Sequence, residues 1–465
     1  MMHLVKGAAA IVLAALTATA GSAAQERSAP IPIQYQKLAN GLKVVLVRDT
    51  TSPTAVVAVY YKIGFRVEPR NRTGFAHLFE HLMFQGSQHL GKNAFIGLVQ
   101  SNGGILNGST RFDFTNYFEV VPSNTVQTML WGEADRMRGL DITEQNLTNQ
   151  RAVVENEVKV NVMNQPYGGF PWLDLPQVAN TNWYNAHNFY GDFAELDAAT
   201  LADVSTFFKT YYAPNNAALV VAGDIDPAET LAWIKEYFGP IPSASVPPQP
   251  DISEPRQDKE KRVNHDDALA TRPALAVGYH APARGTPEWY AMGLIDQLLL
   301  QGHDSRLYQS IVQKQGLAGN VTGGINTDLG NMFDVDGPTL WTVSLVHDAD
   351  KPADRILGVI DAEVEKLQST PVSRDELQLA NIKMRSSLYS EEESLVGFGR
   401  ANLLASFALF DDDPSKINQI EGAFARVTPE LIQKTAREYL RPANRTILTI
   451  TPKAKAAGQS SGGGR

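Results

Sequence analysis

Apolar runs rich in β-branched side chains recur at 42–47, 55–62, 115–121, 218–222 and 274–278, and they alternate with stretches whose apolar positions repeat at helical spacing. The pattern predicts an α+β fold. The 55–62 run is apolar almost throughout, which predicts a central strand covered on both faces. Periodicity stops between 240 and 264, where Pro-Ile-Pro-Ser, Pro-Pro-Gln-Pro and a charged run from Arg256 to Arg262 read as an exposed linker between similar halves. A repeat connects these halves. Thr200-Leu-Ala-Asp-Val followed by Tyr212-Ala-Pro-Asn-Asn recurs as Thr428-Pro-Glu-Leu-Ile followed by Leu440-Arg-Pro-Ala-Asn, at a constant offset of 228 residues. Each copy reads as a threonine-capped helix, a Pro/Asn turn and a buried strand, so the halves are expected to be an internal duplication.

Length and composition narrow the class. A chain of 465 residues is too long for one ordinary core. A formal charge of -9 argues against a general nucleic-acid binder, whose phosphate contacts favour a basic surface. Residues 1–24 carry one basic residue, Lys6, then a small-apolar run from Gly7 to Ala20, then Ser22-Ala23-Ala24, and read as a removable signal peptide. No other stretch approaches the roughly 20 apolar residues of a transmembrane helix, so no membrane span is expected in the mature chain. The chain has no cysteine, which excludes disulfides, thiol catalysis, thiolate metal sites and attachment of lipid through an N-terminal cysteine. Export of a cysteine-free chain points to the periplasm. The expected organisation is a signal peptide at 1–24, a first domain at 25–240, a linker at 241–264, a homologous second domain at 265–457 and a Gly/Ser-rich disordered tail at 458–465.

The candidate chemistry sits in Thr73-Gly-Phe-Ala-His-Leu-Phe-Glu-His-Leu-Met-Phe, whose apolar content predicts a buried helix. One helical turn separates His77 from His81, which places both imidazoles on one side, within reach of one ion. Glu80 is rotated by about 100° from His81, near enough to act on a water at the same site. With no cysteine available, imidazole and carboxylate are the ligands for Zn2+, and a catalytic site uses three protein ligands with one open position. The helical stretch 149–158 offers Glu155 and Glu157, about 200° apart, and residue reasoning leaves the choice open. Glu133 and Asp135 read as solvent-facing or paired.

His77-x-x-Glu80-His81 is the reversed zincin pattern, and the chain resembles the pitrilysin family of zinc peptidases, which includes insulin-degrading enzyme and the mitochondrial processing peptidase. The resemblance extends through Asn107-Gly-Ser-Thr, Arg151-Ala-Val-Val-Glu-Asn-Glu157, Pro166-Tyr-Gly, Tyr212-Ala-Pro-Asn-Asn and the segment 302–307, nearly the whole mature chain. It implies two homologous halves, each a mainly antiparallel sheet packed with helices, forming one side of a clamshell chamber. It implies one Zn2+ per chain held by His77, His81 and Glu157, the last by its place 76 residues after the second histidine, with Glu80 as general base. Gln150 stands where relatives often have an assisting glutamate, and an amide there can bond groups around the ligands. The strand 106–110, with Asn107 and with Gly108 where alanine is usual, matches the edge that pairs with an extended peptide.

Two departures concern the second half. At the 228-residue offset His77 falls on Ser305, so only the first half is expected to hold metal, and His303 reads as structural. The Arg/Tyr pair that many relatives use against substrate is replaced by Val312 and Gly319, which implies a heterodimer whose homologous partner subunit supplies that pair, with a homodimer as the alternative. The alternative function is a non-catalytic structural or peptide-binding subunit of an exported complex.

Overall fold

A computed structural model describes residues 30–453; the expected signal peptide at 1–24 and the tail from 458 lie outside them. The strands are β1 (Ile33–Lys37), β2 (Lys43–Arg48), β3 (Thr54–Tyr61), β4 (Ile105–Thr110), β5 (Thr115–Pro122), β6 (Ala217–Gly223), β7 (Lys261–Asp267), β8 (Ala274–His280), β9 (Thr322–Ile325), β10 (Leu340–Val346) and β11 (Arg445–Pro452). The helices that bear on the site are α1 (Phe75–Leu82), α2 (Glu144–Val158), α3 (Asp174–Ala179), α4 (Leu201–Tyr211), α5 (Pro287–Leu299), α6 (Arg374–Glu392), α7 (Ser394–Asp411) and α8 (Pro429–Tyr439).

The strands form two sheets, ordered β1-β2-β6-β3-β5-β4 and β7-β11-β8-β10-β9. Each is antiparallel except for one parallel pair, β2 with β6 and β7 with β11. The five expected strands are all present, and β3 lies between β5 and β6 with its residues from Ala55 to Tyr61 buried. Apart from β1, the second sheet repeats the first strand for strand. The duplication extends to side chains. Thr200 caps α4 and Thr428 caps α8; Asn216 then donates to Tyr211 O at 2.9 Å, as Asn444 donates to Tyr439 O at 2.7 Å.

The constant offset does not survive around the metal helix. By order in the chain and packing, the counterpart of α1 is α5, which follows β8 as α1 follows β3, and the counterpart of α2 is α6. Ser305 is therefore the wrong position to compare with His77, because the spacing between matching elements differs between the halves. The conclusion drawn from it is unchanged: α5 contains no histidine.

The halves exchange helices. From the second half, α7 crosses the face of the first sheet, where Tyr60 Oη donates to Asn402 Oδ1 at 2.7 Å and Phe118 stacks on Phe398 at 3.6 Å. From the first half, α3 packs Leu175 and Ala179 against Ala274, Ala276 and Leu448 of the second sheet. The segment expected as a linker is seated on the first half: Glu254 accepts from Thr181 N and Asn182 N at 3.0 Å each, and β7 already begins at Lys261.

Candidate metal centre

Helix α1 turns Leu78, Phe79 and Leu82 into the core, where Phe79 stacks on Phe207 and Tyr212. Its other side carries His77, Glu80 and His81. Opposite stands α2, capped at its start by Thr143, with Leu147, Gln150 and Val154 buried and Glu157 near its end. His77 Nε2 lies 3.6 Å from Glu157 Oε1, and His81 Nε2 lies 3.2 Å from Glu157 Oε2. The two imidazoles stand edge to face, with centroids 5.0 Å apart. Hydrogen bonding from His77 first, and then His81, holds the Glu157 carboxyl well below the usual carboxylate range.

One donor atom from each of His77, His81 and Glu157 lies within 4.8 Å of the others, the one such group of three among the described residues. Two imidazole nitrogens and one carboxylate, converging with both Nε2 atoms toward the same carboxylate, match the donor set of a three-ligand zinc site. Glu155 turns away and pairs with Lys159 at 2.9 Å. The choice left open by residue reasoning is thus a matter of helix phase: about 200° of rotation puts one glutamate on the histidines and the other on a lysine.

Glu80 stands beside this group. Its Oε2 accepts a hydrogen bond from Thr110 Oγ1 at 2.8 Å, so the last residue of β4 orients the carboxylate. β4 is an edge of the first sheet, paired only with β5. Asn107 is exposed there and its Oδ1 accepts from Gly108 N at 2.9 Å. A Cβ at Gly108 would stand 3.2 Å from the Tyr117 ring, a tight contact that the ring would have to relieve by a small shift. Gln150 is buried seven residues before Glu157, on the same face of α2.

The remaining candidates lie elsewhere. Glu133 is buried and paired with Arg136; Asp135 accepts from Ser87 Oγ at 2.6 Å and His89 N at 2.9 Å. His303 is exposed and stacks on Tyr308 at 4.4 Å. Sequence reasoning overlooked three contributors. Thr110 closes the Asn107-Gly-Ser-Thr stretch, but nothing local pairs it with Glu80. Tyr190 sets its ring against His77 with centroids 5.0 Å apart, and burial, followed by the charges of Glu157 and Glu80, pushes its hydroxyl up to about 12. Glu68 caps α1 from outside the helix; an acid upstream of a helix with no cap of its own was the available signal.

Residues 43–168 match the family model described as Insulinase (Peptidase family M16), and residues 198–384 match that described as Peptidase M16 inactive domain. The chain is 26% identical to the zinc protease PqqE of Helicobacter pylori, over 89% of this chain and 92% of that protein. It is 23% identical to the mitochondrial-processing peptidase subunit beta of Blastocladiella emersonii, over 90% and 88%. The crystal structure of a protease from Helicobacter pylori superposes with a TM-score of 0.83 at 25% identity, covering 91% of this chain and all of that one.

Proposed function

The chain belongs to the M16, or pitrilysin-type, peptidase family, and from that premise we propose that it is a zinc-dependent endopeptidase subunit hydrolysing peptides or unfolded polypeptides. The observation that carries this reading is the convergence of His77, His81 and Glu157 within 4.8 Å, beside a glutamate oriented from the free edge of a sheet. His77, His81 and Glu157 would hold one zinc ion, which when bound polarises the scissile carbonyl and lowers the pKa of a water. Glu80, steadied by Thr110, accepts the proton of the attacking water and returns it to the leaving amine. The open edge of β4 at Asn107 and Gly108 pairs with the extended substrate backbone. Gln150 supports the ligand face of α2.

We assign 25–240 to the zinc-binding domain, 241–260 to the connection and the chain from β7 at Lys261 onward to the domain without metal, the pair forming one side of an enclosed chamber. Val312 and Gly319 replace the Arg/Tyr pair, which supports a heterodimer in which this chain bears the zinc and a homologous partner bears the pair. The segment 1–24 supports export to the periplasm. The match of residues 198–384 to a model described as inactive agrees with a second half without metal; the rival reading is a non-catalytic structural or peptide-binding subunit.

The test is zinc content measured together with cleavage of a quenched fluorescent peptide library, with and without a homologous partner. Stoichiometric zinc and new cleavage products are expected. Glu80→Gln should keep zinc and lose turnover, whereas His81→Ala should lose both. Zinc-free protein overturns the reading, and zinc with peptide binding but no products in either assembly favours the rival.

A further inference from the structure

Helix α1 has eight residues and no side-chain cap of its own; its N-cap, Gly74, is left-handed with φ +82°. So short a helix is marginal alone, and its first amides need acceptors from elsewhere. They find a buried carboxylate. Glu68 Oε2 accepts from Gly74 N at 2.9 Å and Oε1 from Ala76 N at 2.5 Å, and the side chain is excluded from solvent. His187 Nε2 stands 3.8 Å from the same carboxylate, its ring stacked on Trp183 at 4.3 Å.

The segment that carries Glu68 is tied to the other side of the metal centre. Glu68 follows the short turn Phe65–Val67, where Phe65 N donates to Arg111 O at 3.2 Å and Arg66 N to Phe112 O at 3.0 Å. These acceptors directly follow Thr110. The carboxylate that holds the start of the histidine-bearing helix therefore belongs to a residue two positions after backbone bonded to the residues that follow the edge strand. A second acid braces the approach: Glu195 Oε2 accepts from Thr73 N at 2.8 Å and Thr73 Oγ1 at 2.6 Å. Gly191, with φ +74°, sits so close that a Cβ there would meet Thr73 C at 2.3 Å.

We propose that Glu68 is the positioning residue of the metal centre, its carboxylate bridging the Gly74 and Ala76 amides so that α1 presents His77, Glu80 and His81 in register with Thr110 and Glu157, with Glu195 as the outer brace. The proposal rests on the zinc-peptidase reading. An ordinary local cap would satisfy the same amides, but it would not couple the start of α1 to the chain that follows β4. A carboxylate carried by the segment that bonds Arg111 O and Phe112 O adds that coupling to the packing of the apolar face, and places negative charge at the helix start, where the macrodipole favours it.

The experiment compares the full chain with Glu68→Gln and Glu195→Gln, each at a temperature well below its own melting point. Zinc affinity is read by chelator competition, and kcat and KM are read separately on one peptide. Glu68→Gln keeps one acceptor and most of the shape, so zinc affinity and kcat should each fall about 10–100-fold, the range for groups that orient metal ligands, while KM stays unchanged. Glu68→Asp should recover part of the loss and Glu195→Gln should show a smaller loss of the same kind. Folded Glu68→Gln with unaltered zinc affinity and kcat, even with a lower melting temperature, overturns the proposal by reducing Glu68 to a structural cap. If Glu68→Gln does not fold, unaltered values in Glu195→Gln overturn it instead. A full chain that itself takes up no zinc refutes the underlying peptidase reading, which is a separate result.

Discussion

Thirty residues separate Thr110 from Glu80 in the chain, yet 2.8 Å separates their oxygens. A threonine hydroxyl on a carboxylate costs little to build and contributes direction: it selects one rotamer for a side chain that is only partly buried. Hydrogen bonds to charged groups are worth about 1.5–3 kcal/mol, so Thr110→Val should lower kcat about tenfold or more and leave zinc content unchanged. Steady-state kinetics beside metal analysis checks this, and a variant with full kcat would show that Glu80 is oriented by something else. The same scale explains why Glu155 and Glu157 were indistinguishable in sequence. Both are helical and acidic, and only the orientation of α2 toward α1 sends one to the imidazoles and the other to Lys159.

Among the elements, α7 is the least regular. Its first turn contains Leu395, Val396 and Gly397 in the left-handed region, with φ of 45°, 58° and 88°, and both aliphatic side chains are more than half exposed. A left-handed L-residue costs roughly 1–2 kcal/mol, and exposure means neither side chain recovers that through burial. Val396→Gly removes the clash but makes the unfolded chain more flexible, so the net gain should be about 0.5–1 kcal/mol, seen as a higher midpoint in denaturant unfolding. A lower midpoint would mean that Val396 has a packing role. The turn was not legible in sequence because Glu391 to Phe398 contains no proline and only one glycine, whereas the threonine caps of α4 and α8 were legible because a cap is a local bond over three residues.

Across the whole molecule, the exchange of α3 and α7 makes each sheet's cover depend on the other half. Removing 265–457 would expose the face of β3 and β6 that α7 covers, and removing 25–240 would strip α3 from β8 and β11. Calorimetry of the full chain should therefore give one cooperative transition, and residues 25–240 alone should not unfold cooperatively. Two separate transitions would contradict the interlocked core. What the sequence by itself determined are features written over a few residues: the alternation of strands and helices, the i, i+4 histidine pair, the capped helix-turn-strand repeat and the absence of any thiol. These follow from backbone geometry and from side-chain chemistry, which act locally. Only the tertiary structure decided that α5 is the counterpart of α1, that Thr110 meets Glu80, that Glu68 caps the metal helix and that the halves exchange helices. Each of those depends on which buried faces and amides find partners far along the chain, and burial is a property of the assembled fold.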